Sequence, residues 1–258
     1  MKKGLVAILS IAAISTFTAC SDKHEEVHNN EHHEEWGYTG EYGPENWGKL
    51  KPEYKMCAIG KQQTPINIKA TKIESYKFID MEYEHGAKNV INNGHTVQVN
   101  VKEGNIIKID GKEYELKQFH FHTPSENHIK GKEYPLEAHF VHASKDGKLA
   151  VISVMFKENE ENKILSKIWS KFPLKKGEKV ELELSANDIK NLMPSNKSYY
   201  KFMGSLTTPP CSEGVTWIVF KNPVNVSKEQ VKAFFNLLGH ANNRPIQPTN
   251  DREIILYK

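Results

Sequence analysis

The chain has 258 residues, 38% hydrophobic and 26% charged, with a formal net charge of +3. That is enough apolar material for a packed core in one large domain or two small ones, and it excludes a disordered or fibrous protein. Lys2 and Lys3 supply two of the three charges, so without its first residues the chain is near +1, which implies no nucleic acid or other polyanion as partner.

Met1-Lys2-Lys3 precedes an apolar run from Leu5 to Phe17 and then Thr18-Ala19-Cys20, which is the order of a secretory signal peptide. The run is short for a transmembrane helix. Phe17 suits the small-residue cleavage rule poorly, whereas Phe17-Thr18-Ala19-Cys20 resembles a bacterial lipobox, whose cysteine is lipidated and becomes the new N-terminus. Residues 1–19 are therefore expected to be a lipoprotein-type signal peptide. Export to the periplasm or cell envelope follows, with membrane attachment through Cys20; an ordinary signal that happens to contain Cys20 is the alternative. Residues 20–35 are polar, with His24, His28, His32 and His33 among carboxylates. This composition reads as a disordered tether, ahead of the competing reading of a loose metal-binding tract. With Cys20 set aside, Cys57 and Cys211 can form one disulfide or remain a pair of buried thiols.

From Trp36 to the C-terminus the pattern is that of one domain. Apolar residues alternate in Val97-Gln98-Val99-Asn100-Val101, Ile107-Lys108-Ile109 and Val180-Glu181-Leu182-Glu183-Leu184, predicting short strands. Glu103-Gly104-Asn105, Asp110-Gly111-Lys112 and Lys145-Asp146-Gly147-Lys148 carry the Gly and Asx chemistry of hairpin connections, so antiparallel pairing of neighbours is expected. Helical spacing appears in Ile164-Leu165-Ile168-Trp169 and in Val231-Phe234-Phe235-Leu237-Leu238. Ser227 and Gln230 form a capping-box signature for the second helix, and Gly239 suits its stop. The expected fold is mainly β, with a central sheet and peripheral helices.

Gln118-Phe119-His120-Phe121-His122 carries the chemistry. Strand residues alternate between faces, so His120 and His122 share one face while Phe119 and Phe121 point into the core. His139 follows in a second strand-like run, Leu136 to His142, and can complete a metal site. Three imidazoles leave zinc one open position, the catalytic rather than the structural arrangement. Gln118 and Glu137 each lie two residues before a ligand, where they can fix the tautomers of His120 and His139. His142 falls on the opposite face of its strand, and His85, His128 and His240 carry no motif role.

These segments, with Trp36-Gly37-Tyr38, Gly43-Pro44-Glu45-Asn46-Trp47, Gln63-Thr64-Pro65-Ile66-Asn67-Ile68, Asn93-Gly94-His95, Gly204-Ser205-Leu206-Thr207-Thr208-Pro209-Pro210-Cys211 and Asn243-Arg244-Pro245-Ile246-Gln247-Pro248, resemble the α-class carbonic anhydrases. The resemblance implies a large, mostly antiparallel twisted sheet with the active site in a conical cleft. It implies zinc as cofactor on His120, His122 and His139, and reversible CO2 hydration to bicarbonate and a proton by zinc-held hydroxide. Carbonic anhydrase is itself the reference case for zinc bringing bound water to a pKa of about 7, a value that belongs to the family and not to any spacing in this chain. By the same resemblance, Thr207 accepts the hydroxide's proton and donates to Glu126, and His95 is the proton shuttle. Tyr38, Asn93, Gln98 and Thr208 order the water chain, Gln98 standing where close relatives often have Asn. Val141, Val151, Leu206, Val215 and Trp217 form the CO2 pocket, and Cys57 and Cys211 match a disulfide of exported members. A homodimer is left open. The competing readings are a catalytically silent scaffold, which would have lost a ligand histidine, and an exported zinc scavenger, which would not need Thr207 and Glu126.

Overall fold

The computed structural model describes residues 36–258; the expected signal peptide, the lipidation site Cys20 and the His-rich tether lie outside the described residues. Among the described residues no helix is long and apolar enough to cross a membrane. A 13-stranded mixed sheet dominates, mostly antiparallel, with short helices at its margins. The central order runs through strands Val97–Val101, Lys112–His122, Leu136–Ala143, Leu149–Glu158 and Glu213–Phe220.

Asp110-Gly111 makes the predicted hairpin: both residues have positive φ, 49° and 80°, which suits a two-residue turn whose twist matches the strands it joins. The turn around Lys145 to Lys148 also forms, pairing Ala143 with Leu149. Two expectations need correction. Glu103-Gly104-Asn105 does not close a hairpin, because Val97–Val101 and Ile106–Ile109 each pair with a different stretch of the 11-residue strand Lys112–His122 instead of with each other. The alternation from Val180 to Leu184 yields a strand only over Lys179–Glu181, with Leu182 and Leu184 buried beyond it as core contacts. Nearest-neighbour reasoning also misses the parallel contact of Leu149–Glu158 with Glu213–Phe220.

The helix Lys228–Leu238 forms as its caps dictate: Ser227 Oγ accepts from Gln230 N, Gln230 Oε1 accepts from Ser227 N, and Gly239 ends it at φ 77°. Its Phe234 packs with Trp169 of the helix Lys163–Trp169 against Phe121, on the sheet face that also buries Phe119 and Phe140. A second apolar cluster, around Val151, Trp217 and Phe202, lies on the other face.

One irregularity sets which face the histidines occupy. In the strand Lys112–His122, Tyr114 and Leu116 are core residues, and so are Phe119 and Phe121, which breaks strict alternation. The register shifts between Leu116 and Gln118, where Lys117 is the extra, exposed residue. This β-bulge changes the phase of the strand, so that His120 and His122 leave the core face.

His142 does enter that core. Its Nδ1 lies 2.9 Å from the Phe140 carbonyl, which can only accept, so Nδ1 carries the proton and Nε2, 2.7 Å away, accepts from the Tyr83 hydroxyl. Burial pushes its pKa down to about 3. A folded pKa below the unfolded value of about 6.5 means that the neutral ring's stability is complete above pH 6.5 and is lost as pH falls toward 3. Denaturant melts should show a loss on the order of 2 kcal/mol between pH 6.5 and 5 that is absent from His142→Phe; equal slopes for the two proteins would contradict it.

Cys57 and Cys211 are bonded, with Cα atoms 5.0 Å apart and a separation of 154 positions in sequence. Closing so long a loop contributes on the order of 3–5 kcal/mol in the chain-entropy picture.

Candidate metal centre

The strands Lys112–His122 and Leu136–Ala143 run antiparallel, with His120 opposite His139 and His122 opposite Glu137. Directly opposed residues share a face of the sheet. The three imidazoles therefore converge, with one ligand atom from each lying within 4.8 Å of the other two. Behind them Phe119 stacks on Phe140 at 4.9 Å, which anchors the same two strands from the core side.

Each ring is oriented by an acceptor. His120 Nδ1 lies 2.8 Å from Gln118 Oε1, His122 Nδ1 lies 2.7 Å from the Asn242 carbonyl, and His139 Nε2 lies 2.8 Å from Glu137 Oε1. An acceptor on one nitrogen places the proton there and turns the other nitrogen's lone pair inward. Burial lowers the pKa of His120, helped by the other two imidazoles, and lowers that of His122, so both rings are kept neutral as metal ligation requires. His122 Nε2 and Glu126 Oε2 are buried with no hydrogen-bond partner. Such orphaned atoms are costly unless something else fills the gap. A cation among the three imidazoles fills it, and the nitrogen donor set fits zinc with one open position.

The two carboxylates beside the site behave differently. Burial alone would raise the Glu137 carboxyl, but His139, Asn127 and Ser153 together hold it down at about 2. Its oxygens also accept from the backbone N–H of Glu126 and Asn127, at 2.7 and 2.9 Å. Glu126 is not a surface charge: it is fully buried, and burial pushes it up to about 7 against the opposing pull of His139, of the Arg244 N–H and of a hydrogen bond from Thr207. Glu126 Oε1 accepts from Arg244 N at 2.9 Å, while Oε2 lies 3.5 Å from His122 Nε2.

With the geometry in place, comparison decides the family. A model of the eukaryotic-type carbonic anhydrase family matches residues 42–258. The chain belongs to the α-carbonic anhydrase family. The carbonic anhydrase of Pectobacterium carotovorum is 43% identical over 247 residues, 96% of this chain and 98% of that protein. That of Neisseria gonorrhoeae is 44% identical over 238 residues, 92% of this chain and 93% of its own length. Among solved structures, the α-carbonic anhydrase of Thermovibrio ammonificans in complex with the inhibitor sulfanilamide matches with a TM-score of 0.82 and 49% identity, over 85% of this chain and 98% of that one. The fold and the enzyme class are thus those of an α-carbonic anhydrase.

The remaining carbonic anhydrase positions fall into two groups. Val141, Val151, Leu206, Val215 and Trp217 all belong to or pack on the second apolar cluster, and the Trp217 ring sits 4.9 Å from His139, so this cluster reaches the metal centre. The Thr207 loop is fixed from behind: Ser205 N donates to Thr64 Oγ1, Thr64 N donates to Ser205 Oγ, and Trp217 Nε1 donates to Ser205 O. Gly204 leaves room for that exchange, since a Cβ there would fall 2.1 Å from Thr64 Oγ1. The Thr208 carbonyl accepts from Cys211 N and closes the turn.

His95 stacks on Trp36, ring centroids 3.8 Å apart. Asn93 Oδ1 accepts from His95 N and Thr96 N, so its side chain shapes the turn that presents His95. Gln98 pairs directly with His120 across the strands and donates to Asn100. Tyr38 packs on Trp36 and Trp47, and burial together with the nearby Glu126 charge raises its pKa.

Sequence reasoning missed Asn242 and Arg244 as parts of this site. Asn242 contributes its carbonyl to His122, and its side chain bonds Thr123 N, Phe121 O and His95 O. Arg244 holds Glu126 through its backbone, while its guanidinium binds Gln63, Thr64 and Cys57. The Asn243-Arg244-Pro245 run pointed to this segment, but a carbonyl is common to every residue and gives no compositional signal.

Proposed function

We propose that this α-carbonic anhydrase holds zinc on His120, His122 and His139 and uses it for reversible CO2 hydration outside the cytoplasm. The observation that carries the reading is the convergence of three imidazoles, with His122 Nε2 and Glu126 Oε2 buried and without a hydrogen-bond partner. When bound, zinc supplies a Lewis acid that makes water acidic enough to be a nucleophile near neutral pH, the property for which carbonic anhydrase is the standard example.

The chain's own residues aim and clear the reaction. Thr207 donates its hydroxyl proton to Glu126, so its lone pair faces the attacking oxygen and accepts that oxygen's proton, leaving the nucleophilic pair turned toward CO2. CO2 is apolar, and Val141, Val151, Leu206, Val215 and Trp217 give it an apolar wall beside His139. Attack forms the C–O bond of bicarbonate and leaves one proton to export. His95, on its turn at Trp36, is assigned to receive that proton and pass it to buffer. Tyr38, Asn93, Gln98 and Thr208 are assigned to the water chain that links the two.

Stopped-flow CO2 hydration tests this reading. Chelated protein is expected to be inactive and to recover on adding zinc; full turnover after verified removal of metal would sink it. Retained zinc without turnover would favour a silent zinc-binding relative.

The extracytoplasmic part of the proposal rests on the signal-like N-terminus and on the Cys57–Cys211 bridge, which suits an oxidising compartment. Mass spectrometry of the mature N-terminus should find a diacylglycerol-modified Cys20, and an unmodified terminus elsewhere would remove the lipid anchor.

A further inference from the structure

Away from the metal centre, a cavity of about 180 Å³ opens between residues 76–81, the end of the helix Ala186–Asn191 with the loop after it, and Phe220. It shares no residue with the metal centre or its cleft. Its walls are Phe78, Ile79, Met81, Met193 and Phe220. An apolar cavity of about 150 Å³ is large enough to hold benzene. This one therefore has room for a single aromatic ring or a short alkyl chain. Phe78, at the rim, is 75% exposed and the neighbouring Tyr76 41%, so the cavity opens to solvent through an apolar rim.

The polar lining carries a sign. Lys190 and Lys197 face the cavity together with a single acid, Asp80, which lies 4.0 Å from Lys108, itself shared with Glu82 at 2.9 Å. Lys197 is half-buried, and its ammonium lies 5.5 Å from the centre of the Phe220 ring. Among the described residues it pairs with no carboxylate, and burial lowers its pKa because the cation has lost water without gaining an anion. A desolvated cation at the edge of an apolar cavity is complemented by one negative charge on an apolar body.

We propose that this cavity binds a small aryl carboxylate, with the ring among Met81, Met193 and Phe220 and the carboxylate on Lys197. Lys190, exposed at the mouth, adds long-range attraction for the anion. The site is independent of the CO2 chemistry and does not require metal.

The test uses the zinc-loaded protein labelled with methyl-13C methionine, the probe 3-phenylpropanoate and its neutral isostere 3-phenylpropan-1-ol. The Met81 and Met193 methyl signals should move with the acid while those of Met155 and Met203 stay still. The acid should bind at least about fivefold more tightly than the alcohol, as expected for one partly desolvated charge contact. Lys197→Gln should remove that preference while leaving CO2 hydration and the alcohol's affinity unchanged. No shift at millimolar probe, equal binding of acid and alcohol, or a preference that survives Lys197→Gln would each overturn the proposal. Met155 lies opposite Glu137 in the apolar cluster that reaches the metal centre, so its movement alone would place the acid there, and shifts that follow protein concentration without probe would assign the face to a second copy of the chain; both outcomes also overturn it.

Discussion

His122→Ala should lose both its zinc and its turnover. The mutation removes one of three inward lone pairs, and it also strands the Asn242 carbonyl that now accepts from His122 Nδ1. Losing an outer partner of a ligand already costs about 10–100-fold in metal affinity, so losing the ligand itself should cost more. The Lewis-acid contribution forfeited is several kcal/mol, and at about 1.4 kcal/mol per decade CO2 hydration should fall on the order of 10³-fold or further even with zinc in excess. The fold should survive, because Phe119, Phe121 and Phe140 hold the two ligand strands from the core face. Metal analysis and stopped-flow hydration on the same preparation check both halves, and a variant that keeps stoichiometric zinc and a normal rate would refute the three-histidine assignment.

Thr207→Val should separate metal binding from catalysis. Valine keeps the shape but removes the hydroxyl that bonds Glu126 and that, in the proposed mechanism, orients the reacting oxygen. Zinc content should be unchanged, because the three imidazoles and their acceptors are untouched. Misplacing a reacting group by about 1 Å can cost about 10²-fold, and kcat/KM should drop by that order. Thr207→Ser should recover most of the loss, since it restores the donor to Glu126. If valine left the rate intact, orientation through Thr207 would be ruled out; if it released the zinc, Thr207 would be part of the metal site instead.

Much of this site was legible because side-chain chemistry and strand period coincide in it. His120, His122 and His139 declare themselves by residue type, and Gln118 and Glu137 by lying two residues before their partners. The capping box at Ser227 and the turn at Asp110-Gly111 were readable for the same reason: each is a local rule satisfied by neighbouring residues. What was hidden depends on partners far along the chain. The Asn242 carbonyl reaches His122 across 120 positions, and no residue type encodes a carbonyl. Likewise, Glu103-Gly104-Asn105 looks like a hairpin turn because turn chemistry says only that the chain bends, not which strand it will pair with next.

The bulge at Lys117 gives the candidate metal centre a dependence on strand phase that residue identity does not reveal. Were the strand to run through Lys117 without the bulge, every ligand would remain in the sequence, yet regular alternation carried on from Tyr114 and Leu116 would turn His120 and His122 toward the helices and bring Phe119 and Phe121 to the cleft. An alignment counting matched histidines would still score such a chain as intact. Among close relatives, whether the bulge between Leu116 and His120 is kept is therefore as informative about activity as the histidines themselves: a regular strand of the same length keeps the ligands and loses the site, whereas losing Lys117 together with the bulge leaves both histidines on the cleft face.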